Sequence, residues 1–211
     1  MKKIITSISL ALLCFSSLIA QTSKRSPLAK DLQIKIAVQA APEEFKANAK
    51  VYGYDETGKF VTLREGTNGY ICLAPDYRLS TYYVYCYPES LDPFMARGRE
   101  LIAEGKRKER DAIREAEFKA GKLVIPQTPS LLYGYWGPAS DVDTLTGEIK
   151  DAKRRYVIYV PYAKAKDLGL SGKQNNLGMP WLMDEGSYKA HIMITPPIEQ
   201  EHETHKMVPQ N

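Results

Sequence analysis

Hydrophobic and polar positions follow three different patterns along the chain, and each predicts a different kind of element. The first is a predominantly apolar run, Ile4 to Ile19, with Lys2 and Lys3 before it and Ala20 after it. A run of about 15 residues suits the apolar region of a secretory leader and falls short of the ~20 residues that span a bilayer as a helix. The expectation is therefore a signal peptide over residues 1–20, cleaved near Ala20, with Cys14 discarded inside it. Leu13 stands where a lipoprotein signal needs a small residue, so no lipid anchor is expected. Residues 21–30, polar and carrying Pro27, read as a flexible tether.

The second pattern is alternation. Val51, Tyr52 and Tyr54 lead into the turn cluster Asp55 to Gly58, and Phe60, Val61 and Leu63 lead into Gly66 to Gly69. Tyr70 to Leu73 and Tyr82 to Tyr87 follow as further strands. Asn68-Gly69 suits a type I′ hairpin turn, so the four runs read as an antiparallel meander. Asp31 to Ala41 is ambiguous: Leu32, Ile34, Ile36 and Val38 alternate as in a strand, while Asp31 and Pro42 could bound a helix. Pro42-Glu43-Glu44 has the character of a helix first turn.

The third pattern is a charged helical one from Phe94 to Ala120, with a narrow apolar face, a hinge near Gly105 and an end at Gly121. Leu131 to Pro138 is rich in aromatics and turn formers, and Ser140 to Asp151 is polar enough for a surface loop. Tyr156 to Pro161 and Ala190 to Ile194 read as strands, and 168–185 as a long loop over one end of the sheet. These elements predict one α+β domain over 31–198, an antiparallel β-sheet with a charged helical segment beside it. Residues 199–211 read as a disordered tail.

Charge narrows the partners. The 211-residue chain has 29 basic and 25 acidic residues, and removing 1–20 takes away two lysines and no acid, leaving 27 against 25, or +2. So balanced a chain gives no electrostatic reason to bind nucleic acid. No stable membrane anchor is expected after leader cleavage. Lys106-Arg107-Lys108 is interleaved with acids and reads as a solvated helix face. Cys72 and Cys86 remain after cleavage, and an even pair in an oxidising compartment is read first as a disulfide. A two-cysteine metal site is the weaker alternative, since no histidine or third cysteine lies near. Closing a loop of ~15 residues is worth about 3 kcal/mol in the chain-entropy picture.

Several strings resemble, as a set, an uncharacterised family of secreted bacterial proteins: Ala40-Ala41-Pro42, Val51 to Gly53, Arg64-Glu65-Gly66-Thr67-Asn68-Gly69-Tyr70-Ile71-Cys72-Leu73, Cys86, the charged helix, and Ala190-His191-Ile192-Met193. The resemblance spans most of the mature chain and implies an exported globular domain with a cysteine pair. It implies no activity.

Candidate chemistry is sparse. His191, His202 and His205 are the only histidines. His202 and His205 are separated by three residues rather than the four of a zinc-protease helix and lie in the polar tail. His191 and Met193 share one face of a strand, which would suit copper, although methionine more often fills a core. Ser187, His191 and Asp184 could make a small hydrolase, but no nucleophile-elbow pattern surrounds a serine. No catalytic residue, metal site or cofactor is assigned.

The remaining signal is aromatic. Among 14 tyrosines, Tyr83, Tyr85 and Tyr87 alternate onto one strand face and Tyr82, Val84 and Cys86 onto the other. With Tyr135, Trp136, Trp181 and His191, the first row is the candidate ligand site. The favoured expectation is a non-enzymatic envelope or extracellular protein binding a protein, glycan or small-molecule ligand through an aromatic and loop surface.

Overall fold

The computed structural model describes residues 25–175 and 177–197; the expected leader and the tail with His202 and His205 lie outside them. The ambiguous segment after Asp31 is a helix. Helix α1 spans Lys30–Ala37, reaching one residue into the expected tether, and continues as a 3-10 turn over Val38–Ala40. Gln33, Ile36, Ala37 and Ala40 are each no more than 3% exposed. Spacings of three and four put these residues on one helical face, whereas a strand would divide them between opposite faces. A single helical turn, α2, follows over Glu43–Lys46, with Pro42 immediately before it.

Eight strands then build one sheet: β1 Lys50–Tyr54, β2 Phe60–Arg64, β3 Tyr70–Leu73, β4 Thr81–Pro88, β5 Ser130–Pro138, β6 Lys153–Tyr159, β7 Trp181–Met183 and β8 His191–Ile194. Between β4 and β5 lie the helices α3, Asp92–Ala103, and α4, Arg110–Lys119, and a short α5 spans Ala165–Leu168. The strand order is β2-β1-β3-β4-β5-β6-β8-β7, antiparallel throughout except for the parallel pair β1 and β3. The fold class is therefore α+β, as the patterns predict.

The parallel pair corrects the meander. Because β2 lies on the outer side of β1 and β3 on its inner side, residues 66–69 carry the chain past the end of β1 and do not close a hairpin. Gly69 takes φ +71°, whereas Asn68 is not left-handed. The Asn68 side chain braces the crossing instead: Nδ2 donates to the Phe45 carbonyl at 2.8 Å and Oδ1 accepts from the Tyr70 amide at 3.1 Å. Two further differences concern strands. The aromatic stretch is β5, a central strand paired with both β4 and β6, and the expected loop of 168–185 contains the edge strand β7.

Alternation along the strands divides the core in two. Val51, Cys72, Tyr82, Val84, Cys86 and Tyr135 face α1 and the 3-10 turn. Ile71, Leu73, Tyr87, Leu132, Val157 and Met193 pack on the other face with Leu91 and Phe94 of the α3 segment and with Leu123 and Ile125 beyond α4. Cys72 and Cys86 stand directly opposite each other on β3 and β4, fully buried on the α1 face, and form the expected disulfide. Among the described residues no helix is long and apolar enough to cross a membrane.

One buried amide fixes α1 to the sheet. Strand β3 stops pairing with β1 near Tyr52, whose carbonyl accepts from the Ala74 amide at 2.8 Å. Tyr54, two residues on, points its main-chain groups to the same side and has no strand there. Gln33 completes it, accepting from the Tyr54 amide at 2.8 Å through Oε1 and donating to the Tyr54 carbonyl at 2.8 Å through Nε2. The same Nε2 donates to the Leu28 carbonyl at 2.7 Å. Gly53 makes the approach possible, since a Cβ there would come within 2.6 Å of Gln33 Oε1. Gln33→Leu keeps the volume and removes the hydrogen bonds, leaving buried backbone groups unpaired at about 1–3 kcal/mol each. Urea denaturation should show a loss of about 2–4 kcal/mol; a loss below ~0.5 kcal/mol would mean that the amide does not hold the helix.

Candidate functional site

The α3–α4 hairpin does not cover all of the second sheet face. Between it and strands β4, β5, β6 and β8 lies a cleft of about 510 Å³. The alternation of the strands determines its floor. Tyr83 stands opposite Trp136, Tyr85 opposite Gly134, and Gly134 opposite Arg155, while Tyr159 stands opposite His191. Tyr83 and Tyr85 are 45% and 37% exposed. Gly134 presents no side chain of its own, and the Tyr85 ring and the Arg155 stem close over it, 3.6 and 3.7 Å from where a Cβ would stand. Met95, Gly98, Arg99 and Ile102 of α3, Arg107 of the connecting turn, and Arg110 and Arg114 of α4 complete the lining.

Five arginines and His191 line the cleft, and no carboxylate does. Arg99 is matched: its Nη2 donates to Asp92 Oδ1 at 2.9 Å, and Nη1 donates to the Tyr87 hydroxyl. Arg110 and Arg114 share one carboxylate, Asp111, each at 2.9 Å. Lys189, from the turn before β8, reaches the same carboxylate at 2.6 Å. The Tyr188 hydroxyl also donates to the Asp111 carbonyl at 2.9 Å, so α4 is tied to that turn at two points. Arg155 lies 5.1 Å from the Trp136 ring centroid and donates to Thr195 Oγ1 at 3.1 Å. Neither Arg155 nor Arg107 makes an ion pair among the described residues.

Arg114 occupies the tightest position. Only 6% exposed, it places its guanidinium 4.1 Å from the Phe94 ring centroid and donates from Nη1 to the Phe94 carbonyl at 3.3 Å. Gly98 admits it between the two helices, because a Cβ at 98 would lie 3.1 Å from Nη1. Its Nε has no hydrogen-bond partner among the described residues.

The sequence-predicted site divides accordingly. Tyr83, Tyr85, Trp136 and His191 come together in the cleft. Tyr87 points to the same face but is fully buried, donating to Asp92 Oδ1 at 2.9 Å. Tyr135 is a correction: as the neighbour of Trp136 in a strand it faces the opposite way, and its hydroxyl is held by the Ile149 main chain at 2.7 and 3.3 Å. Trp181 sits opposite Met193, outside the cleft, beside a smaller hollow that also contains Arg155. Met193 shares the face of His191 as expected and is buried in the core.

His191 does not enter the hydrogen-bond chain of a hydrolytic triad. Its Nδ1 lies 2.8 Å from the Lys189 carbonyl, so that nitrogen carries the proton when the ring is neutral. Burial lowers its pKa against the opposing effect of that main-chain bond. The Ser187 hydroxyl donates to the Asp184 carbonyl at 2.7 Å, and the Asp184 carboxylate faces Lys189 at 3.3 Å. Burial also pushes the neighbouring Tyr159 hydroxyl up to about 12.

The arginines are what sequence reasoning missed. Arg110 and Arg114 have the spacing that shares a helix face, and this was the available signal; that the face looks onto tyrosines depends on how the hairpin lies on the sheet.

Asp111 is the hinge of this charge cluster. Partial burial alone would raise its pKa, but hydrogen bonds from Arg110, Lys189 and Arg114 outweigh that and hold the carboxyl well below its ordinary value of 3.8. A carboxyl depressed in the folded state stabilises the protein above the unfolded value and loses that contribution as pH falls below it. Asp111→Asn should therefore lower stability by about 1–2 kcal/mol at pH 7, a figure reduced for solvent screening. Its stability should also fall less steeply below about pH 4 than that of the parent. Parallel acid titration curves for the two proteins would contradict this assignment.

No protein-family model, curated protein or solved structure matches this chain, so its functional reading stands on the geometry of the cleft.

Proposed function

We propose that this chain is a non-enzymatic binding protein that takes a small ring-bearing ligand in the cleft between the sheet and the α3–α4 hairpin. The observation that carries this reading is one concave surface of about 510 Å³ that is lined by the exposed rings of Tyr83 and Tyr85 and by the half-buried Trp136. Ligand pockets commonly fall between ~300 and ~1,000 Å³, with mainly apolar walls and a few polar groups. Aromatic side chains left accessible in such a place offer flat faces for stacking. Binding is favoured over hydrolysis by His191, because Ser187 and Asp184 satisfy each other and Lys189 rather than the imidazole.

The same reading places the protein outside the cytoplasm, in the periplasm or beyond the cell. Supporting it are the leader pattern of residues 1–20, the Cys72–Cys86 bridge and the resemblance to a secreted bacterial family. The bridge lies under α1, on the face opposite the cleft, and so acts on the frame rather than on the ligand.

A panel of bicyclic aromatic compounds, titrated against the disulfide-intact protein and followed by tryptophan fluorescence and calorimetry, should give saturable binding. Stacked aromatic contacts are worth about 0.5–1.5 kcal/mol beyond their buried area, so Tyr83→Ala and Trp136→Ala should each weaken binding by at least about two- to twelvefold. Tyr135→Phe, on the opposite face, should leave affinity unchanged. Binding insensitive to both Tyr83→Ala and Trp136→Ala would refute the cleft as the site.

A further inference from the structure

We propose that the ligand of the cleft is a ring compound carrying one carboxylate, its ring against Tyr83 and Trp136 and its acid group held by Arg114 and Arg155. This inference rests on the reading of the cleft as a ligand site and adds the charge of the ligand to it.

Charge is distributed unequally over the two sides of the helical hairpin. On the outer side, Arg97 of α3 engages three acids, Glu100, Glu104 and Glu117, at 3.1, 3.4 and 2.7 Å. On the side of the cleft the ratio is reversed: Asp111 is the one carboxylate paired with Arg110 and Arg114 among the described residues, and it also serves Lys189, which reaches Asp184 as well. Arg107 and Arg155 add two further cations with no carboxylate in reach among the described residues, and none lines the cleft. A concave site with low-dielectric walls concentrates the field of such cations and draws an anion into it.

Arg114 gives the anion a specific donor. Its side chain is enclosed by Phe94 and Gly98, with Nη2 committed to Asp111 and Nη1 to a main-chain carbonyl. The Nε–H is left over: buried, charged and without an acceptor. Buried donors on charged groups are costly to leave unpaired, and a ligand carboxylate is the kind of acceptor that a guanidinium edge matches in shape and charge. Arg155 lines the same cleft from β6, oriented by Thr195 and by the Trp136 ring, and is the second cation assigned to the acid group. The cleft has room for one small molecule, which argues for a single acid group on a ring rather than a polymer.

The discriminating titrations compare 2-naphthoate, 2-naphthamide and 2-naphthyl phosphate on the disulfide-intact protein. The acid should bind at least tenfold more tightly than the amide at low ionic strength, and its advantage should shrink as salt is added. Arg114→Gln and Arg155→Gln should each weaken the acid by about tenfold and leave the amide unchanged, while Arg97→Gln should affect neither. Circular dichroism on each variant establishes that it is folded, and the less buried Arg155 carries the test if Arg114→Gln unfolds. Equal affinity for acid and amide would overturn the charge assignment and leave the ring-binding reading standing. Tighter binding of the phosphate than of the carboxylate would overturn the choice of acid group. Failure of all three compounds to bind would overturn both readings.

Discussion

Side chains along each strand alternate between the two sides of the sheet, so an apolar face can be buried only from its own side; this twofold alternation governs the whole molecule. An eight-stranded sheet thereby has two large faces to bury, and the described chain has few helices with which to do so. On one face α1 and its 3-10 extension supply the cover, held by the paired hydrogen bonds of Gln33 to Tyr54. The other face receives the α3–α4 hairpin, whose apolar side is narrow. It buries Phe94 and Leu101, but α4 contributes chiefly Arg114. Where that cover runs out, Tyr83, Tyr85 and Trp136 remain accessible, and the cleft is the result.

The same alternation explains how much was legible in the sequence. Tyr83 and Tyr85 could be assigned to one face and Tyr82, Val84 and Cys86 to the other from spacing alone, and the Cys72–Cys86 pair from an even count of cysteines together with the expectation of export. The two-piece helix with glycines at 105 and 121 was equally plain, since both take positive φ at the ends of helical segments. Strand order was not legible. Asn68-Gly69 has the composition of a hairpin turn, but whether the next strand lies beside the last or beyond it depends on long-range pairing. Tyr135 was misplaced for a related reason: a stretch interrupted by Gly134 and Gly137 did not declare itself a strand, so its parity could not be read.

The electrostatic content of the site was the least visible part. Arg99, Arg110, Arg114 and Arg155 are dispersed over 57 positions and each has acids near it in sequence. Only the packing of α4 against the turn before β8 reveals that Asp111 is divided among three cations and that the outer Arg97 has taken the glutamates. Local sequence neighbours are a poor guide to charge balance when helices turn opposite sides to opposite environments. In this molecule the solvent side is compensated, whereas the cleft side is compensated only in part, by Asp92 at Arg99 and by Asp111 at Arg110 and Arg114.

The central claim is that the part of the second sheet face left uncovered by the helical hairpin is a ligand site. Anomalous diffraction from crystals soaked in 6-bromo-2-naphthoate tests it most directly, because bromine reports its own position. A bromine peak between the hairpin and the rings of Tyr83 and Trp136 is expected. Bromine found only elsewhere, such as in the hollow beside Trp181 or on the α1 face, would contradict it.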